Sequence, residues 1–265
     1  MRSNHYFLIA NLAISDCIAS VLYSATMLVP SLQTKEGRVP GPYFFARFIC
    51  SLKTQNLQFA ALRNSSLIIS TIAVERFIAI VFPIFYRTSS RRGCLLLIII
   101  PWVYTFVMTS IMEMGGIFVE NNICILAFEN EISLYFGFIG AFMYLIVQLF
   151  LPIFCYTCIA VKLSSNFRIQ SKSGKPNSAA VISQAKSNIT RMLFIVTFIF
   201  IVTTFPDQAH YMFVVNILKK QLWDWDSSLQ QFFTFLMITN LAVNFFAYPL
   251  TNSEFRKAMT NLYKR

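Results

Sequence analysis

Residues 132–161 read ISLYFGFIGAFMYLIVQLFLPIFCYTCIAV, a run between Glu131 and Lys162 that contains no Asp, Glu, Lys or Arg. A helix rises 1.5 Å per residue, so roughly 20 apolar residues cross the hydrocarbon of a bilayer, and this run exceeds that length. Moving outward, the stretches 93–112, between Arg92 and Glu113, and 227–253, between Asp226 and Glu254, are equally free of charge. Three more apolar stretches are broken by isolated charges: 6–32 holds only Asp16, 54–83 holds Arg63, Glu75 and Arg76, and 192–218 holds only Asp207. The chain therefore reads as an all-α membrane protein with six spanning helices, at about 6–32, 46–80, 94–118, 132–163, 188–218 and 228–250. An ionisable group inside hydrocarbon costs a few kcal/mol even on mild insertion scales, so each of these charges must face protein or a wet cavity.

The composition agrees. Of the 265 residues, 56% are hydrophobic and 12% charged, against roughly 25% charged in a soluble domain. That excludes a soluble enzyme, a disordered tail and a disulfide-stapled secreted module. A transmembrane barrel would show short alternating strands, not long apolar blocks.

Orientation follows from the basic residues, which are retained on the cytoplasmic side. Arg2, the Arg87, Arg91 and Arg92 group, the connection from Lys162 to Arg191, and Arg256, Lys257, Lys264 and Arg265 all fall on one side. Glu36, Glu113, Glu120, Glu129, Glu131, Asp224 and Asp226 fall on the other. Both ends of the chain are thus expected in the cytoplasm. The net charge of +11 is then a topology signal, with a secondary role toward anionic lipid. Nucleic acid is not an expected partner, because the basic residues are split among short loops. Residues 164–187, rich in Ser, Gln, Asn and Lys, read as a mobile inner loop. Residues 252–265 place Phe255, Met259 and Leu262 at helical spacing and read as a cytoplasmic amphipathic helix at the membrane surface.

A series of motifs now falls in order. Asn11-Leu12-Ala13-Ile14-Ser15-Asp16 resembles the second-helix signature of rhodopsin-like (class A) G-protein-coupled receptors. Glu75-Arg76-Phe77, followed by Pro83 and Tyr86, is similar to the Asp/Glu-Arg-Tyr motif and second inner loop of that family. Trp102, Pro152, Phe200 six residues before Pro206, and Asn244-Phe245-Phe246-Ala247-Tyr248 continue the series. The resemblance covers the whole chain. It implies six helices of a seven-helix receptor bundle, with the chain beginning in the first inner loop and lacking helix one. It further implies a plasma-membrane receptor that transduces an extracellular ligand, peptide or small molecule, to a heterotrimeric G protein. A chain without helix one is not expected to signal by itself.

The resemblance also implies roles for particular residues. Glu75, Arg76 and Phe77 would couple to the G protein, and Phe200, Pro206, Asn244 and Tyr248 would form the activation switch. Asp16, Ser65, Asn240 and Asn244 would hold a sodium ion as an allosteric modulator. All four present oxygen ligands suited to a hard cation. Cys50 and Cys124, the two cysteines expected outside the membrane on the extracellular side, match the disulfide that pins the second outer loop. The sequence departs from the family at Phe77 in place of Tyr, Thr204 where Trp is common, and Phe245 in place of the Pro of Asn-Pro-x-x-Tyr.

Gln58, Arg63, Asp207, Gln208, His210 and Tyr211 are polar groups in the outer halves of apolar helices, the usual pattern of a small-molecule site. Arg63 and Asp207 either pair with each other or leave Asp207 to a cationic ligand. An amine ligand is disfavoured, because the family's helix-three aspartate is here Gln58. A retinal ligand is excluded by the lack of lysine in 229–250. The competing class is a six-helix transporter or channel using Asp16, Arg63 and Asp207 as a polar path. It leaves the Glu75-Arg76 signature without a purpose. An enzyme is not expected, since neither paired catalytic carboxylates nor a His-Glu metal motif is present.

Overall fold

The computed structural model describes residues 3–32, 39, 41–53, 56–88, 91–120, 123–126, 131–173, 194–195, 197–210, 212–213 and 227–251. Its elements are α1 (Ser3–Leu32), α2 (Tyr43–Lys53), α3 (Asn56–Val81), α4 (Pro83–Thr88), α5 (Arg91–Gly116), β1 (Ile117–Glu120), β2 (Ile123–Leu126), α6 (Glu131–Ser173) and α8 (Ser228–Thr251). Residues 197–210 form α7. Within α1, α3 and α6, the segments Phe7–Thr26, Leu57–Val81 and Leu145–Ser165 are long and apolar enough to cross a membrane.

The helices are sorted inside out relative to a soluble protein. Large apolar side chains such as Phe106, Phe198 and Phe235 are exposed, while Asn11, Ser15, Asp16, Asn64, Ser65, Gln148, Thr204 and Asp207 are buried. Hydrocarbon solvates the first set without cost and would leave the second unpaired, so polar groups turn inward to find one another. Helix α3 stands at the centre, packed against α1, α5 and α6. Its exposure pattern reflects that position: from Gln58 to Ala73 it has no broad exposed face. The inner core joins Leu8 and Leu12 of α1, Ile68 and Ile72 of α3, Tyr156 and Ile159 of α6, and Phe200 of α7. A middle cluster joins Ala19, Leu62 and Met237 of α1, α3 and α8. An outer cluster joins Val39, Ala46, Ile49 and Leu52 beneath the outer surface, with Leu22 and Leu57 against it.

The stretch read as one span at 46–80 is helical on both sides of residues 54–55, which lie outside the described residues. Two features depart from the sequence reading. The span read to 118 ends at Gly116, and an antiparallel hairpin follows in the register Ile117↔Leu126 and Val119↔Cys124. Gly115-Gly116 weakens the helix there, and the β-branched residues Ile117, Val119, Ile123 and Ile125 favour strand. Finally, α6 does not stop at 163 but continues to Ser173, through the first ten residues of the expected loop. No Gly or Pro occurs between Pro152 and Gly174, so nothing in the chain interrupts the i to i−4 ladder as it leaves the membrane. The amphipathic helix expected at 252–265 lies outside the described residues.

Candidate functional site

At the outer end of the bundle, α7 and α8 are tied by a buried polar cluster. The Gln230 amide donates to Asp207 Oδ1 at 2.8 Å and the Gln208 amide donates to Asp207 Oδ2 at 3.1 Å. Asp207 is 3% exposed and Gln230 1%. With Gln230 Nε2 turned to the carboxylate, its Oε1 faces His210 Nδ1 at 3.2 Å, so His210 is the donor of that pair. The His210 ring also packs on Phe233 at 5.3 Å. Arg63 of α3 lies within electrostatic reach of Asp207 and Tyr104, but no direct ion pair joins Arg63 to Asp207. Of the two alternatives drawn from the sequence, a direct Arg63–Asp207 pair is not formed: the carboxylate is held by two amides, with Arg63 as a more distant counter-charge. Gln58 is fully buried on α3, and both atoms of its amide lack a partner among the described residues. Tyr211 lies outside the described residues.

Gln230 was missed by sequence reasoning, although a signal existed. Ser227 caps α8, accepting from the Gln230 backbone N–H at 3.2 Å. From that cap, Gln230, Thr234, Met237 and Asn240 recur at spacings of four and three, marking the buried stripe of an otherwise apolar helix.

In the middle of the bundle the side chains of α1 and α3 interlock. Ser15 Oγ donates to the Ala61 carbonyl at 3.1 Å, Ser65 Oγ donates to the same carbonyl at 3.3 Å, and Asn64 Nδ2 donates to Ser15 Oγ at 3.0 Å. Trp102 Nε1 fixes Asn11 Oδ1 at 2.9 Å. Asp16 is buried beside this network. One helical turn inward from the Ala19, Leu62 and Met237 cluster stand Asp16, Ser65 and Asn240. Both amide atoms of Asn240 are buried without a partner among the described residues. Asn244 and Tyr248 belong to α8, but their side chains are outside the described set.

At the inner end, Arg76 Nε lies 2.9 Å from Glu75 Oε2. Glu75 is 3% exposed, and Tyr86 of α4 donates its hydroxyl to Glu75 Oε1 at 2.5 Å. Phe77 packs edge-on to Phe82 at 5.7 Å and against Phe154 at 5.9 Å. Because the arginine's partner is also held by α4, the short inner helix is fixed to the end of α3.

Helix α7 connects these levels. Thr203 Oγ1 donates to the Ile199 and Phe200 carbonyls, each at 3.0 Å, and Thr204 Oγ1 donates to the Phe200 carbonyl at 2.8 Å. These bonds lie in the turn before Pro206, which supplies no N–H to the ladder. Gln148 of α6 donates to Thr204 Oγ1. Lower down, Tyr156 and Thr197 share a hydrogen bond of 3.3 Å. Phe200 is buried between these two ties in the inner core.

Cys50 is disulfide-bonded, whereas Cys17, Cys155 and Cys158 are free thiols. Helix α2, which carries Cys50, packs against the hairpin strand that carries Cys124.

A family model described as 7 transmembrane receptor (rhodopsin family) matches residues 1–248. Among curated proteins, Sphingosine 1-phosphate receptor 1 of Danio rerio is 23% identical over 265 residues, an alignment covering 97% of this chain and 68% of that one.

Proposed function

This chain belongs to the rhodopsin family of seven transmembrane receptors, and from that premise we propose that it passes the binding of an extracellular ligand to a heterotrimeric G protein. The family consists of multi-pass receptors of the plasma membrane, and a receptor rather than an enzyme is the activity to be explained. The observation that carries the coupling proposal is the inner lock: Arg76 held by Glu75, which is itself held by Tyr86. A guanidinium so placed is restrained by one carboxylate and becomes available to a partner at the cytoplasmic mouth once that carboxylate lets go. Both chain ends would lie in the cytoplasm, on the G protein's side.

Ligand would enter between α3, α7 and α8 and meet Gln58, Arg63, Gln208, His210 and Tyr211. Because Asp207 is already bound by two amides, a cationic ligand would have to displace them. Arg63, without a direct ion pair, supports a ligand with an acidic group. A relative named as a receptor for sphingosine 1-phosphate makes phosphate-bearing lipids the first set to screen, with peptides second. The bonded Cys50 would have Cys124 as its partner, fastening the hairpin over this mouth.

Sodium fits the middle network. Asp16, Ser65 and Asn240 fall one turn from a shared apolar cluster, and the Asn240 amide oxygen is buried without a donor among the described residues. With Asn244 they would hold a cation, which when bound supplies positive charge to a buried carboxylate. These residues would then favour the arrangement in which α1, α3 and α8 stay together.

The test is nucleotide exchange on a panel of purified G proteins by the chain reconstituted in nanodiscs, with and without phosphorylated lipids. Exchange that Arg76→Ala abolishes is the expected result. Exchange unaffected by Arg76→Ala, or absent with every G protein and every ligand class, would overturn the reading.

A further inference from the structure

A cavity of about 400 Å³ lies on the flank of the bundle between α3, α5 and α6, away from the outer cluster, the sodium residues and the inner lock. Leu67, Ser70, Thr71 and Val74 form one wall, Leu97, Ile100, Pro101 and Tyr104 a second, and Met143, Val147 and Leu151 a third. The size is that of a small-molecule site, yet the walls offer nothing to a polar ligand. Each hydroxyl at the lining already donates its proton within the protein: Ser70 Oγ to the Val147 carbonyl at 3.2 Å, Thr71 Oγ1 to the Leu67 carbonyl at 2.8 Å and Tyr104 Oη to the Gly140 carbonyl at 3.3 Å. Water needs two or more polar partners to stay in a cavity, and apolar cavities far smaller than this one remain dry and take up hydrocarbon. Left empty, the space would forfeit the dispersion contacts of all three walls.

The cavity also runs into the bilayer-facing surface. Ile100 and Met143, which line it, are 59% and 47% exposed. Leu96, Ile99 and Val103 of α5 and Ile139, Phe142 and Phe150 of α6 extend the same apolar belt on either side. The lining covers eight or nine residues of each helix, roughly 11–12 Å along the membrane normal. Its inner end, at Val74 and Leu97, lies more than one and a half turns from the start of α5, where the chain carries Arg91-Arg92. A negatively charged phosphodiester belongs at that level.

We infer that this cavity is a binding site for one acyl chain of an inner-leaflet phospholipid, which fills the gap between α3, α5 and α6 with its headgroup at the level of Arg91 and Arg92. A fatty acid carboxylate inside the cavity would find no free donor, and the almost wholly apolar walls match an acyl chain, so the occupant is the chain itself.

The chain is reconstituted in phospholipid nanodiscs containing a phosphatidylserine with a diazirine at mid-chain, irradiated and digested, and the adducts are mapped by mass spectrometry. Adducts are expected on residues 97–104 and 143–151 at several-fold the density on the exposed face of α1 around Val21 and Leu28. Val147→Phe and Leu97→Phe, which fill the cavity from different walls, should each reduce that excess to the level of α1. Thermal unfolding of both variants identifies any that is misfolded, leaving the other to decide. Adducts spread evenly over the belt, an excess that survives both substitutions in folded protein, or labelling of the cavity by a sterol diazirine but not by the acyl-chain probe would each overturn the assignment.

Discussion

Replacing Gln230 by leucine removes the amide that holds Asp207 Oδ1 at 2.8 Å, in a place where both side chains are at most 3% exposed. Hydrogen bonds to a charged group contribute about 1.5–3 kcal/mol in soluble proteins, whereas side-chain bonds between membrane helices average about 0.6 and reach about 1.7 kcal/mol. Asp207 keeps Gln208 on its other oxygen and Arg63 within electrostatic reach, so the loss should fall near the upper membrane value, about 1.5 kcal/mol. For a chain of this size that corresponds to a fall of about 3–6 °C in unfolding temperature. Asp207→Asn keeps an acceptor for Gln230 and removes the buried charge, so it should cost less. In Asp207→Leu/Gln230→Leu neither partner is left unsatisfied, and the double variant should be more stable than the two single losses added together imply. Thermal unfolding in detergent of the four proteins at one scan rate measures the cycle. Additivity within about 0.5 kcal/mol would mean that the two side chains do not interact, refuting the α7–α8 tie.

Tyr86→Phe frees one oxygen of Glu75 and should raise basal G-protein nucleotide exchange by up to about tenfold, since about 1.4 kcal/mol is the scale of such a bond; unchanged basal exchange counts against the inner lock. Asp16→Ala should abolish any effect of sodium on agonist affinity, read by binding in sodium and in N-methylglucamine buffers, and a persisting sodium effect places the ion elsewhere. Gln148→Leu removes the donor to Thr204 and should shift the balance of α7 positions, read as altered basal exchange with little loss of folded protein. Cys124→Ser should leave Cys50 reactive to a membrane-impermeant maleimide on intact cells; a Cys50 that stays protected has a different partner.

The long apolar helices were legible because hydrocarbon imposes a rule that sequence alone can satisfy: runs of about 20 residues with few or no charges. The buried charges were legible for the same reason, and Asp16, Glu75 and Asp207 are all found facing protein. What Asp207 binds could not be read. Its partners are neutral amides, and a glutamine in a membrane helix carries no mark that distinguishes Gln230, which binds it, from Gln58, which does not. The hairpin at residues 117–126 was hidden because strands of four residues are shorter than the windows that reveal periodicity. The extension of α6 to Ser173 was hidden by composition: Ser, Asn and Gln read as loop, but without Gly or Pro nothing stops a helix already nucleated in the membrane.

The departures from the family along α7 acquire a common meaning once its contacts are laid out in order. Thr197, Phe200, Thr204 and Asp207 recur at spacings of three and four and so form one stripe on one face. Three of them are fastened by a single side-chain hydrogen bond to a neighbouring helix: Thr197 to Tyr156 and Thr204 to Gln148 on α6, and Asp207 to Gln230 on α8. Where relatives commonly place a bulky tryptophan, this chain has Thr204, whose hydroxyl both receives the Gln148 proton and donates to the Phe200 carbonyl. Movement of α7 is therefore opposed by three polar ties in series with the buried Phe200 ring. At about 1.5 kcal/mol for the Asp207 tie and about 0.6 kcal/mol for each of the other two, the ties sum to about 2.7 kcal/mol. That lies within the 1–3 kcal/mol typical of coupling between distant sites. A restraint of this size is small enough for differential ligand binding at the outer cluster to overcome and large enough to keep the released arrangement a minor population without ligand.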